Sequence, residues 1–280
     1  MLKNVSPRLR VFIRNPASWV GLILVLGMVI IAIFAPYIVD RAPEHQNLRL
    51  RLQPPGPGEP FGTDEFGRSL FSRVVYGARI SLLTGMIPVA VAMSIGTIIG
   101  LVAGFFRGWV DSLLMRLMDI LLAFPSLLLA LAVVGTLGPG LINAVIAVSI
   151  VAIPDYARIV RSVVIGAREE EYVQAATALG ARNNRLMFKH LLPNAVGPIV
   201  VQATLGVGFA IMAIAGLSFL GLGIQPPTAD WGEMLSRGRR FLPDGTWLML
   251  FPGIAVSLTV LGFNLLGDGV RDALDPKSGS

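Results

Sequence analysis

"ISLLTGMIPVAVAMSIGTIIGLVAGF", residues 80–105, runs without one charged side chain. As a helix rising ~1.5 Å per residue it reaches about 39 Å, enough to cross a ~30 Å hydrocarbon layer. Its apolar residues form a block and not a stripe, so no face of it suits water. Gly96, Gly100 and Gly104 fall four apart within it. That spacing strips side chains from one helix face and predicts close packing of a second helix.

Working outward, five more apolar blocks occupy residues 19–39, 117–137, 141–157, 195–222 and 247–266. The predicted fold class is therefore an all-α integral membrane protein with six transmembrane helices. Pro154 and Asp155 interrupt the end of the fourth block. Composition agrees: the chain is 54% hydrophobic and 14% charged, against about 25% charged for soluble domains. There is no cysteine, which excludes disulfides and thiolate metal sites.

Lys3, Arg8, Arg10 and Arg14 precede the first block. The block is too long for a signal-peptide core, and no A-x-A site follows it, so it reads as an uncleaved anchor. The net charge of +6 sits in loops. There it sets orientation among membrane lipids and is not a nucleic-acid signal. With both termini in the cytoplasm, the larger share of the 23 basic residues is cytoplasmic.

The first outer segment, residues 40–79, contains "RLQPPGPGEPFG", too rich in Pro and Gly for a helix or strand interior. Within residues 63–77, Phe66, Leu70 and Val74 fall at i, i+4 and i+8, with Thr63 or Asp64 as a cap and Gly77 as a stop. This fits a short amphipathic helix at the outer interface, or equally a lead-in to the second span. In the last outer segment Asp230 stands three before Glu233, an N-cap spacing, and Trp231 is placed as an interfacial anchor. Near the C-terminus Asp268, Arg271 and Asp275 can pair along a helix.

Catalytic chemistry is missing. No predicted span carries a titratable residue near its centre, where a proton-driven carrier needs one; Asp119 and Asp155 fall near predicted cytoplasmic ends, close to Arg116 and Arg158. The lysines are Lys3, Lys189 and Lys277, and none follows a glycine, so there is no phosphate-cradling loop. His45 and His190 are the only histidines, and no H-E-x-x-H pattern exists. "GLSFLG" has Leu220 where a nucleophile elbow requires its second glycine. The chain reads as a non-enzyme with no catalytic residue, metal site or cofactor of its own.

Between the fourth and fifth spans lies a polar cytoplasmic segment, residues 158–194. Glu169, Glu170 and Glu171 start a helix there, where negative charge complements the positive helix end. Tyr172, Ala175, Ala176 and Leu179 fall on one face, and Gly180 takes the position just past the helix end. Asn184 can cap a second helix, which Pro193 ends. The first helix could insert into a partner's groove, or pack on its own membrane domain; the pattern does not choose.

"QAATALGARNNRLMFKHLLP", residues 174–193, resembles the coupling loop of ABC importer permeases, E-A-A-x3-G-x9-I-x-L-P. Ala175, Ala176, Gly180, Leu192 and Pro193 match, while Gln174 replaces Glu and His190 replaces Ile. "GTDEFGRSLFSRVVYGARISL", "GWVDSLLMRLMDILLAFPSLLLAL", "LSFLGLGIQPPTADWGEML" and "FNLLGDGVRDALDPK" resemble the C-type permease of the dipeptide/oligopeptide/nickel branch. Ser69 departs from the Asp that the branch carries after "GR".

The resemblance implies a type I ABC importer permease fold, with an N-terminal unit at residues 1–78 and a core permease domain at residues 79–280. It implies half of a translocation channel in a bacterial inner membrane. The partners implied are a second homologous permease, two cytoplasmic ATPase subunits that bind ATP and Mg, and an external substrate-binding protein. The implied solute is a dipeptide or oligopeptide, with nickel or a nickel chelate as the alternative. A non-transporting scaffold would have no reason to present the coupling helix.

Overall fold

A computed structural model describes residues 11–13 and 15–274. The basic tail residues Lys3, Arg8, Arg10 and Arg14, and Asp275 of the predicted ion pairs, lie outside the described residues. Among those described, helices are the only regular elements besides two isolated bridges in the loop after the first helix.

α1 spans Pro16–Ile38 and starts cleanly: the Asn15 side chain accepts from Ala17 N at 3.0 Å, and Pro16 has no N–H to waste. α2 spans Leu70–Phe106, and α3 (Gly108–Leu122) and α4 (Ser126–Leu137) follow. α5 spans Leu141–Arg168, α6 Glu171–Ala178, and α7 Asn183–Phe219. α8 (Trp231–Gly238) and α9 (Trp247–Leu274) close the chain. Five helices are long and apolar enough to cross a membrane; α3 and α4, bent by 91°, make a sixth span if taken together. Large apolar side chains such as Ile23, Ile33, Ile98, Met212 and Leu250 point outward, a surface that suits lipid and not water.

α2 and α5 form the spine. A Cβ on Gly96 would meet Tyr156 Cβ at 2.6 Å, one on Gly100 would meet Val160 Cβ at 2.8 Å, and one on Gly104 would meet Val164 Cβ at 2.9 Å. Only glycine permits that approach of the two backbones. α7 packs on both helices, and α9 packs on α7 and α1. Asn15 donates to Asp272 at 3.1 Å, so both described chain ends lie at one end of the bundle, with α6.

The opposite end is closed by a buried ionic cluster. Asp64 accepts from Phe66 N at 2.9 Å and Arg68 N at 3.0 Å, and pairs with Arg68 Nε at 2.6 Å. Arg73 reaches Glu233 at 3.2 Å and Asp64 at 3.7 Å. Arg237 pairs with Glu65 at 2.8 Å and also with Glu233. Beside it Asp230 caps α8, accepting from Glu233 N at 3.0 Å and from the Ser81 hydroxyl at 3.0 Å. Burial pushes the Asp230 carboxyl up from its ordinary range, against the pull of those donors.

Several boundaries differ from the sequence reading. Residues 63–77 are no separate interfacial helix: the helix begins at Leu70 and runs unbroken into the second span, the lead-in alternative. Asp64 fails as its cap because its carboxylate is occupied within its own loop. Ser69 takes the cap position without a side-chain bond. Gly77 lies inside the helix, under the Trp231 ring. Trp231 is no interfacial anchor; it is buried and donates to Val74 O at 2.9 Å.

The third span is broken at residues 123–125, where Pro125 forbids a continuous helix. The fourth passes through Pro154 to Arg168; one missing donor in a packed membrane helix is tolerated. The polar connection shrinks to residues 169–182. Asn184 lies inside α7, whose first turn follows Arg182 without a side-chain cap. Pro193 ends nothing: α7 continues through it.

Candidate functional site

At the α6 end, the connection between α5 and α7 is short and strongly fixed. Glu170 precedes the first turn of α6 and Glu171 occupies it. The far end closes in a Schellman turn. Ala181 N donates to Ala176 O at 3.1 Å and Gly180 N to Thr177 O at 3.0 Å, with Gly180 at φ +78. A Cβ on Gly180 would touch nothing; the glycine is required for its dihedral alone.

One face of α6 docks on the bundle. Val173 is 2% exposed, in a cluster with Leu101, Phe105, Val160, Leu186 and Leu191, and Ala176 packs against that cluster. The other face is left open. Tyr172, Ala175 and Leu179 point outward, and Leu179 is 88% exposed. The stripe read from the sequence as a single apolar face is therefore divided: Ala176 turns in, and the other three turn out. Val173 escapes sequence reasoning because it sits off that stripe; as the helix's one aliphatic β-branched residue it is the available signal.

The rest of the motif braces this helix. Asn194 Nδ2 donates to Tyr172 Oη at 2.9 Å and to His190 O at 2.6 Å. The His190 ring centroid lies 6.5 Å from that of Tyr172. Gln174 Nε2 donates to Glu169 O at 2.9 Å, a contact that Glu could not make as a donor. Residues Leu186–Leu191 form one turn of π-helix, with Leu192 N donating to Met187 O. Pro193 accounts for this: it offers no N–H to Lys189 O and its ring would crowd that carbonyl, and the wider turn relieves both. Leu192 and Pro193 therefore carry α7 directly from the α6 contact into the membrane.

Ion pairs fasten α3 to α5 beside it. Arg161 grips Asp111 with two bonds of 2.5 and 2.6 Å, Arg158 reaches Asp119 at 2.5 Å, and Arg107 reaches Glu169 at 2.6 Å. Arg158 serves Asp119 on another helix, not the nearby Asp155.

A second feature lies deeper. Between α2, the α3–α4 break, α5 and α7 is a cavity of about 300 Å³, mostly apolar. Its polar lining comes from Ser126, Asp155, Tyr156 and Gln202. The sequence placed Asp155 at a span end; with α5 extending to Arg168 it lies midway along the helix.

A small helix is thus presented at one end of the bundle, joined by short turns to the two long spans, α5 and α7, that border the cavity. The model of the binding-protein-dependent transport system inner membrane component matches residues 96–279. The chain belongs to that family. The N-terminal transmembrane domain of oligopeptide transport permease C matches residues 8–55. A dipeptide transport system permease of Alkalihalophilus pseudofirmus is 52% identical over 94% of this chain and 87% of its own length. A di/tripeptide permease of Pseudomonas aeruginosa is 47% identical over 95% and 90%. A glutathione permease of Pectobacterium atrosepticum is 43% identical over 96% and 89%.

Among solved structures, the inward-facing MetNI methionine ABC transporter shares the fold, with a TM-score of 0.57 at 19% identity, covering 72% of this chain and 96% of that one. This permease is thus a multi-pass membrane protein with the type I ABC importer fold.

Proposed function

We propose that this chain forms half of the translocation channel of an ATP-driven importer for dipeptides and short oligopeptides. α6 is the handle. Two ATPase subunits, holding ATP and Mg, seat the outward face of Tyr172, Ala175 and Leu179 in a groove, one copy on this chain and one on a second homologous permease. An external binding protein delivers the solute at the α8 end. The α6 end and both termini lie in the cytoplasm of a bacterial cell, whose inner membrane the spans cross. The chain itself breaks no bond.

The observation that carries this reading is the divided α6 helix. A connector serving only its own domain would not leave Leu179 88% exposed on a helix locked by a Schellman turn. Closure of the ATPases moves α6, and the π turn and Pro193 pass that movement into α7 as rigid-body rocking. The peptide assignment draws on the dipeptide-named and di/tripeptide-named relatives at 52% and 47% identity.

The test is reconstitution. The chain, co-expressed with a second homologous permease, ATPase subunits and a binding protein, should take up a radiolabelled dipeptide into proteoliposomes only with ATP. Uptake of nickel and not of dipeptide would replace the substrate; uphill movement by the isolated chain would overturn the mechanism.

A further inference from the structure

The cavity between α2, the α3–α4 break, α5 and α7 contains a carboxylate that makes no ion pair among the described residues. Asp155 lies about 21 Å along α5 from Leu141, at ~1.5 Å per residue, some two-thirds of the way across a ~30 Å layer. Its side chain is exposed and lines the cavity. Arg158, one turn further on, contributes its field but donates its hydrogen bond to Asp119 at 2.5 Å. Among the described residues none donates a hydrogen bond to Asp155 or pairs with it. Charged residues inside membrane spans are costly and are found facing partners or water-filled paths. A carboxylate so placed, with its nearest arginine bonded to Asp119, is open to a visiting cation.

The surroundings say what kind. Across the cavity Gln202 offers a side-chain amide that makes no hydrogen bond among the described residues, while its backbone carbonyl accepts from Tyr156 Oη at 3.4 Å. Ser126 supplies a hydroxyl from the start of α4. Val89, Val148, Val151, Leu205 and Phe209 supply apolar walls. One anionic group, one amide and one hydroxyl in an apolar cavity is the arrangement of a small-molecule site. It is a poor metal site: a hard cation wants six or more oxygens, and the described residues contain no group of three His, Cys, Asp or Glu side chains able to hold one.

We propose that Asp155 holds the protonated amine of a zwitterionic solute during passage, with Gln202 and Ser126 taking its amide or carboxylate end. The site rests on the transport reading above and deepens it: the channel itself, and not only a delivering protein, recognises a primary ammonium. The pairing is transient. A single charge contact in a cavity that is not enclosed holds the solute without trapping it.

The chain has no cysteine, which makes the test direct. In the complete importer in proteoliposomes, Asp155→Asn should cut ATP-driven uptake of L-Ala-L-Ala at least tenfold, and Asp155→Glu should keep a third or more. In a second arm the thiol of an Ala152→Cys variant, which lines the same cavity with Asp155 left in place, should react with a cationic thiosulfonate faster than with an anionic one, and L-Ala-L-Ala should slow that reaction at least threefold. Uptake by Asp155→Asn within twofold of the unmodified importer overturns the proposal. So does an Ala152→Cys thiol that no aqueous reagent reaches, or that the dipeptide fails to protect. Equal loss in Asp155→Asn and Asp155→Glu counts against it as well, since that marks a packing role. An unmodified importer that hydrolyses ATP but moves no dipeptide would instead strike the transport reading itself.

Discussion

Single residues carry two different demands for glycine. Gly100 is needed for space: its missing Cβ would lie 2.8 Å from Val160 Cβ. Gly180 is needed for its φ of +78, with open space around it. Both positions are legible in the sequence, one from a four-residue repeat and one from its place after a helical stripe, because these constraints are local. Gly180→Val should strain the Schellman turn by about 1–2 kcal/mol without disturbing the spans. The expected result is weaker retention of the ATPase subunits during purification, with normal membrane insertion. Unchanged retention and uptake would contradict the role assigned to this turn. Asp155 is misleading at the same scale, since the proline beside it looks like a helix end.

The elements near the cavity and α6 are less legible, because sequence pattern reports what is apolar and not which apolar face meets protein. Tyr172, Ala175, Ala176 and Leu179 share a stripe, yet the bundle takes Ala176 together with Val173 and leaves the rest outside. The length of α5 is hidden by Pro154, which a packed helix tolerates. The π turn is hidden because Pro193 looks the same whether a helix stops or widens. The division of α6 gives two adjacent alanines opposite consequences. Ala175→Trp puts bulk on the outward face and should uncouple ATP hydrolysis from uptake, with the importer's melting temperature little changed. Ala176→Trp drives bulk into the packed face and should destabilise by about 1–3 kcal/mol through overpacking. Thermal unfolding and coupled transport assays on the pair separate these outcomes; equal behaviour of the two would refute the division.

At the scale of the molecule, the two ends are built differently. The α6 end is held by apolar packing and half-exposed ion pairs, whereas the α8 end is locked by Asp64, Glu65, Arg68, Arg73, Glu233 and Arg237. Three carboxylates balance three guanidiniums there. The cluster joins the loop after α1, the start of α2 and α8 into one unit. Asp64–Arg68 and Glu233–Arg237 are four residues apart and lie within reach of a sequence pattern, but the links that join them, Arg73 to Glu233 and Arg237 to Glu65, span more than 150 residues and cannot be read there. Removing one cation should expose the arrangement. Arg73→Met takes away the guanidinium that touches both Glu233 and Asp64 and leaves a net buried negative charge. Breaking a buried pair from one side costs about 3–5 kcal/mol, and Arg237 and Arg68, still in place, should keep the loss near the lower figure. Arg73→Met combined with Glu233→Gln restores neutrality and should recover part of the loss, because what destabilises is the uncompensated charge and not the missing contact. Thermal unfolding of the purified importer measures both variants. A double variant no more stable than Arg73→Met alone would mean that the cluster acts through shape, with its charges contributing little to holding this end shut.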